Sequence, residues 1–116
     1  MTKNQARSKS QKSVKTNEAA VSEVIAVKRL LSTVPEQHNF FVADGTKICN
    51  VPQLIEALGA MHEDTFKFHA NEDKNDFSNW LRDMFGEEEL AESLKTVGTK
   101  TEAQLIIAKK LLKELL

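Results

Sequence analysis

The stretch that decides the fold is FKFHANEDKNDFSNWLRDMF, residues 66–85. Its second half predicts a helix, because apolar residues recur there at spacings of three and four. These residues are Phe77, Trp80, Leu81, Met84 and Phe85. We expect them to form one buried stripe that ends at Gly86, a residue suited to the left-handed position after a helix. The opposite face carries Glu72, Asp76, Asn79 and Asp83 and is expected to be exposed.

Length and composition predict one mainly helical domain. The chain has 116 residues, of which 41% are hydrophobic and 28% charged, as is ordinary for a folded domain of this size. Cys49 is the single cysteine, so no disulfide can form within the chain and a cytoplasmic location is expected. No apolar run is long enough to cross a membrane, and we expect no membrane contact.

The first residues form a basic tail. The cations Lys3, Arg7, Lys9, Lys12 and Lys15 are separated by polar residues and by no acid. The net charge of the whole chain is −1, so the rest of the chain is acidic. A segment of this composition buries too little apolar area to fold, so residues 1–16 are predicted to be disordered and residues 17–116 to form the domain. The tail either improves solubility or contacts the phosphates of a nucleic acid.

Two elements are predicted before the central stretch. Residues 17–31 have the apolar spacing of a first helix, which Pro35 prevents from extending. Next, Asp44-Gly45 joins two short β-prone runs and predicts a hairpin with a two-residue turn. In that register Phe41 opposes Ile48, and Phe40 shares the other face with Cys49.

Capping residues mark the remaining helices. Asn50, with Pro52 behind it, begins a helix through Met61, in which Gly59 indicates either close packing against a neighbour or an approaching helix end. Residues 62–69 either continue that helix or form another one. A short helix follows Gly86, and Thr99 with Glu102 begins the last helix.

The last helix has a strong apolar stripe, formed by Leu105, Ile106, Ala108, Leu111, Leu112, Leu115 and Leu116. Such a stripe either packs against the rest of the domain or forms the contact surface for a second copy or another protein. The spacing leaves both possibilities open. The predicted fold is therefore a compact, mainly α domain of five or six helices with one short β-hairpin.

The pattern F-x-x-H-x-N-x-x-x-N-D-F-x-x-W-L, which residues 66–81 match, resembles a small family of archaeal and bacterial domains of unknown function. The preceding G-T-x-I-x-x-x-x-x-L-I-E-A-L, from Gly45 to Leu58, resembles the same family. The resemblance covers about 50 residues in the middle of the chain. It implies a small α-rich domain in a prokaryotic cytoplasm and no established activity.

Motifs for metal binding or catalysis are weak. Asn71, Asp73 and Asn75 alternate as in a calcium loop, but Asp76 stands where that loop needs a glycine and Arg82 where it needs a glutamate. No phosphate-binding glycine loop or nucleophile motif surrounds Cys49 or any serine. We expect no cofactor, no metal and no enzyme activity, and a site centred on His69 is the weakest alternative.

The polar residues of the central stretch have two interpretations. They either hold the structure together through caps and backbone hydrogen bonds, with Asn71 capping the helix and Asp76 accepting from the Trp80 indole, or they form an exposed patch that binds a partner. The residues of that patch are His69, Asn75, Asp76, Asn79 and Trp80.

The function predicted from these observations is a non-catalytic interaction or adaptor module with a protein partner. A homodimer through the last helix is one form of that prediction. The alternative is a small nucleic-acid-associated protein that contacts phosphates through its tail, which the acidic body disfavours.

Overall fold

The computed structural model describes residues 29–116. The predicted disordered tail, residues 1–16, and most of the predicted first helix lie outside these residues. The described part opens with helical residues 29–31 and a 3-10 helix at Glu36–His38. Strands β1 (Phe40–Phe41) and β2 (Lys47–Ile48) follow. The helices after them are α1 (Val51–Ala60), α2 (Glu63–His69), α3 (Asp76–Phe85), α4 (Glu88–Leu94) and α5 (Lys100–Leu115). This confirms a mainly helical fold with one hairpin.

Helix α3 lies at the centre of the core, as its apolar stripe predicts. Phe77, Trp80, Leu81 and Phe85 are buried and Met84 is partly buried. The Phe77 ring stacks on Phe66 of α2 and on Phe40 of β1, with ring centroids 5.6 and 5.0 Å away. Gly86 ends the helix with a φ of 67°, which confirms the predicted left-handed cap.

The predicted hairpin register is wrong by one residue. Phe40, not Phe41, pairs with Ile48, and these two side chains are buried, whereas Phe41 is exposed. The loop holds three residues rather than two: the Val42 N–H donates to Thr46 O, the Gly45 N–H donates to Val42 O, and Gly45 has a φ of 98°. Three-residue hairpin loops commonly end in a glycine with positive φ, as here, so Asp44-Gly45 marked the turn but not its length. Because side chains alternate between the two faces of a sheet, a shift of one strand by one residue changes which side chains of the two strands share a face.

The segment from 51 to 69 forms two helices rather than one bent helix. The Asn50 side chain accepts from the Gln53 N–H at the start of α1, which confirms the predicted cap. Met61 and His62 are extended and separate α1 from α2. No helix in the described part of the chain is long and apolar enough to span a membrane.

Helix α5 packs against α1 at the predicted glycine. A β-carbon on Gly59 would lie 2.6 Å from Gln104 Nε2, and this amide donates to Ile55 O at 2.9 Å. The Lys100 ammonium donates to Gly59 O at 3.1 Å. Since Ala103 and Ile107 are buried beside these contacts, the absence of a side chain at Gly59 lets the two helices approach.

The contact between Gly59 and Gln104 predicts a coupled pair of substitutions. Gly59→Ala alone should change the free energy of unfolding little, because a helix-propensity gain of about 1 kcal/mol is offset by displacement of the Gln104 hydrogen bond, also worth about 1 kcal/mol. In a Gln104→Ala background the same change should stabilise by about 1 kcal/mol. Urea unfolding of the four proteins measures the coupling, and strictly additive effects would contradict the contact.

Candidate functional site

The loop between α2 and α3 carries the distinctive polar residues, and its two asparagines cap different helices. The Asn71 side chain donates to Lys67 O at the end of α2, at 3.0 Å, and accepts from the Asp73 N–H. Asn75 caps α3, because its side-chain oxygen accepts from the Ser78 N–H at 3.0 Å. The prediction that Asn71 caps α3 is therefore wrong. The helix begins at Asp76, five residues later, so Asn71 is too far from its first free N–H groups.

His69 is buried at the end of α2, with only 5% of its surface exposed. Its Nε2 accepts from the Ala43 N–H at 2.9 Å, and its Nδ1 lies 3.0 Å from Asp76 Oδ2. A backbone amide can only donate, so this network assigns the ring proton to Nδ1, which donates to Asp76. Both ring nitrogens are engaged, and the imidazole joins the hairpin to the start of α3.

Asp76 receives a second hydrogen bond from the Lys74 ammonium, at 2.9 Å from the same oxygen. Partial burial alone would raise the pKa of Asp76, but the hydrogen bonds from Lys74 and His69 outweigh it and lower the pKa below its ordinary value of 3.8. The carboxylate is therefore ionised at neutral pH. The sequence analysis did not include Lys74 in this cluster. Its position two residues before Asp76, the first residue of α3, could have indicated the contact.

Asn75 and Ser78 attach α3 to α4. The Asn75 amide donates to Leu94 O at 3.0 Å, and the buried Ser78 hydroxyl donates to Ala91 O. Both acceptors are carbonyls in the last turns of α4, next to the buried Ala91 and Leu94 side chains. Polar groups thus satisfy one another where the two helices meet.

Trp80 contacts the other end of the described chain. Its indole N–H donates to His38 O at 2.8 Å, so the prediction that Asp76 is the acceptor is wrong. The Asp76 carboxylate instead contacts His69 and Lys74. The indole contacts the 3-10 helix, at a residue 42 positions earlier in the sequence. An acceptor so distant in sequence leaves no local signal.

The predicted polar patch is thus divided between the interior and the surface. His69 and Trp80 are buried, Asn75 and Asp76 are half-buried, and Asn79 is exposed with its oxygen accepting from Arg82 at 2.8 Å. Two adjoining clefts of about 330 and 480 Å³ share Asn71, Glu72, Asn75 and Lys95 in their lining. Both an acidic and a basic side chain, Glu72 and Lys95, line the two clefts. Within residues 29–116, no group of three or more His, Cys, Asp and Glu side chains could hold a metal ion.

A different surface feature lies on α5. The residues of this helix that pack into the core are Ala103 and Ile107, which the predicted stripe did not include, and of that stripe Ile106 and Leu111 are partly buried beside them. On the opposite side lies a row that we call the leucine seam: Leu105, Ala108, Leu112 and Leu115. Its three leucines are 56%, 57% and 50% exposed, and the adjacent Leu116 is fully exposed. The spacing of three, four and three in this row was the signal that separates the two faces.

A buried carboxyl lies where α4 meets α5. Glu87 is buried, and its nearest cation, Lys110, is 3.8 Å away and closer to Glu114, at 3.1 Å. Burial raises the pKa of Glu87 above its ordinary value of 4.5, because this distant ion pair offsets the desolvation only in part. Glu87 and Asp76 therefore affect the pH dependence of stability in opposite directions.

Two asparagines of the predicted patch should respond differently to alanine. Asn75→Ala removes a helix cap and the bond to Leu94 O and should destabilise the fold by about 1–3 kcal/mol. Asn79→Ala removes only a surface contact and should change stability by less than about 0.5 kcal/mol. Urea unfolding of both variants measures the difference, and equal small effects would refute the structural role of Asn75.

The opposite pKa directions of Asp76 and Glu87 predict opposite pH effects. The folded-state pKa of Asp76 is lowered, so its contribution to stability is present above pH 3.8 and is lost as the pH falls through the folded pKa. Asp76→Asn should flatten the loss of stability in that acid range. The folded pKa of Glu87 is raised, so its protonation adds stability as the pH falls towards 4.5, and Glu87→Gln should remove that gain.

Urea midpoints measured from pH 7 to pH 2 in constant salt check this pair. The shape of each curve is the readout, so a uniform loss of stability in either variant does not affect the test. Identical pH profiles for wild type and both variants would contradict the assigned contacts.

Comparison with known proteins gives a family and no activity. The sequence model described as "Family of unknown function (DUF5752)" matches residues 36–115. No curated protein and no solved structure matches the chain. The matched segment runs from the 3-10 helix through α5 and contains the whole His69 network and the leucine seam. Because the match covers well over half of the chain, the chain belongs to the family of unknown function DUF5752.

Proposed function

We propose that this chain is a non-catalytic interaction module that binds a protein through the leucine seam of α5. The observation that carries the proposal is the exposure of Leu105, Leu112 and Leu115, each at least half exposed, on one face of a 16-residue helix. Single exposed leucines are ordinary, but a contiguous row of them marks a contact surface. The opposite face of the same helix already anchors it to the domain.

The form of the seam indicates the class of partner. Its residues follow the spacing by which one helix packs along another, so an amphipathic helix is the expected ligand. Because α5 is held to α1 by Gln104 and Lys100, the seam is presented on a fixed support. A rigid support lowers the entropy lost on binding.

The polar cluster supports the non-catalytic part of the proposal. A general base needs a nitrogen free to take a proton, but the Nε2 of His69 already accepts from the Ala43 N–H. The Cys49 thiol lies 3.1 Å from the side-chain oxygen of Gln53, to which it donates. A cytoplasmic location belongs to the same proposal and rests on the single cysteine.

A second candidate function is nucleic-acid association through the basic tail. The observation that favours it is the charge of residues 1–17, where Lys3, Arg7, Lys9, Lys12 and Lys15 meet no acid. Neutralising several phosphates would make binding fall steeply with salt, whereas binding through the apolar seam would change little. Salt dependence therefore separates the two functions.

The interaction proposal predicts a position-specific cross-link in cells. A photo-reactive benzophenone amino acid at Leu112 should cross-link to a protein, either a copy of this chain or another one. The matched control is the same group at Phe41, which is 62% exposed on the hairpin against 57% for Leu112. Mass spectrometry of the adducts identifies the protein and the segment attached.

Equal adducts from both positions would mean that any exposed apolar group attaches to proteins at random. That result, or the absence of any adduct at Leu112, would refute the proposal. A cross-link that forms at Leu112 but not at Phe41, and that attaches to a residue of an amphipathic helix, supports the proposal.

A further inference from the structure

We propose that the partner fitted by the leucine seam is a second copy of this chain, with the two α5 helices parallel and in register. This inference rests on the proposed function, since it names the occupant of the same surface. It follows from three properties of α5: the heptad positions of the seam, the residues that flank it, and the direction in which the domain lies.

The seam has the heptad pattern of a two-helix contact. Leu105 and Leu112 occupy a positions, and Ala108 and Leu115 occupy d positions, if Leu105 starts the heptad. In a parallel pair each of these side chains meets its own equivalent across the two-fold axis. Four apolar layers then stack along residues 105–115, with the small Ala108 allowing the helices to approach closely.

The flanking residues favour a parallel pair. Flanking positions g and e meet across a parallel interface, which places Gln104 beside Lys109 of the second copy and Leu111 beside Leu116 of the second copy. No like charges meet in this arrangement. In the antiparallel pair, Lys109 would approach Lys109 of the second copy, which like-charge repulsion disfavours. Leu111 and Leu116 also extend the apolar contact on both flanks of the seam, because the two-fold axis repeats their pairing.

The placement of the domain leaves room for a second copy. At about 100° per residue, the four seam residues lie about 100–180° around α5 from the midpoint of Ala103 and Ile107, which hold the helix against the core. The two domains would therefore lie on the outer sides of the helix pair. The ion pairs of Lys110 with Glu87 and Glu114 lie on the domain side and need not break.

The short seam limits the affinity. Two heptads bury less than the roughly 1,200–2,000 Å² of a standard stable interface, so we expect a reversible dimer with a dissociation constant of about 1–100 μM. Both monomer and dimer should then be populated in an ordinary concentration series.

The test is the mass of the full chain in solution, by light scattering from about 1 to 500 μM, a range that brackets the expected constant. Wild type should pass from monomer to dimer, and Leu112→Lys should raise the dissociation constant more than about 100-fold, because two buried leucines are lost per dimer. The matched control Phe41→Lys puts the same charge on another exposed apolar site and should dimerise as wild type does. Circular dichroism confirms that each variant is folded.

Orientation is tested by a disulfide in a Cys49→Ser background. Leu105→Cys should form a disulfide-linked dimer under mild oxidation, because the two residues meet in the parallel pair, whereas in the antiparallel pair about 15 Å separates them. Mixing Leu105→Cys with Leu115→Cys should give mainly the symmetric products. A dominant mixed product would overturn the parallel arrangement.

The outcomes separate this inference from the proposed function. A monomer at every concentration would overturn the second copy, and so would a Leu112 cross-link only to a different protein or to residues 1–28 of the same chain. Only the cross-link to a different protein would leave the interaction module standing. A dimer that survives Leu112→Lys would show that another surface is used and would also overturn the inference.

Discussion

The buried imidazole of His69 has two nitrogens, and each must find a partner or lose the hydrogen bonds that water gave it. The Ala43 N–H and the Asp76 carboxylate are those partners, at 2.9 and 3.0 Å. One belongs to the hairpin and the other to the first turn of α3. A hairpin with two residues in each strand is too small to be stable alone, so this bond and the stacking of Phe40 on Phe77 fix its place on the helices.

Other polar side chains also join one helix to another. Asn75 caps α3 with its oxygen and binds α4 with its nitrogen, so one side chain satisfies a helix start and a helix end. Gln104 and Lys100 do the equivalent for α5, since both donate to carbonyls of α1. Small polar contacts of this kind add little individually, but each fixes the direction of a helix whose apolar stripe would tolerate several directions.

Local patterns in the sequence predicted the elements whose causes are local. The stripe of α3, the left-handed Gly86 and the Asn50 cap each depend on residues within one or two turns. Gly59 was a local signal of close packing, but the residue that it meets, Gln104, lies on a distant helix. The errors arise where the cause is distant or depends on one residue of loop length. Trp80 finds its acceptor 42 residues away, and a three-residue loop instead of two moved the hairpin register. The site residues were found by their rarity, but which of them point inwards depends on Ala43, which no local pattern connects to His69.

Helix α5 shows why the apolar count of a helix does not decide its role. Apolar residues lie on more than one side of this helix, and the contacts with α1 and α4 determine which side is already occupied. Once Ala103 and Ile107 are buried, the remaining leucines cannot reach the core without unwinding the helix or detaching it. Their exposure therefore follows from the Gly59 contact, because the same close approach that docks the helix also fixes the direction of the leucine seam. A change at that contact would alter not only stability but also the angle at which the seam meets a partner, which ties the packing of α1 against α5 to the interaction that we propose.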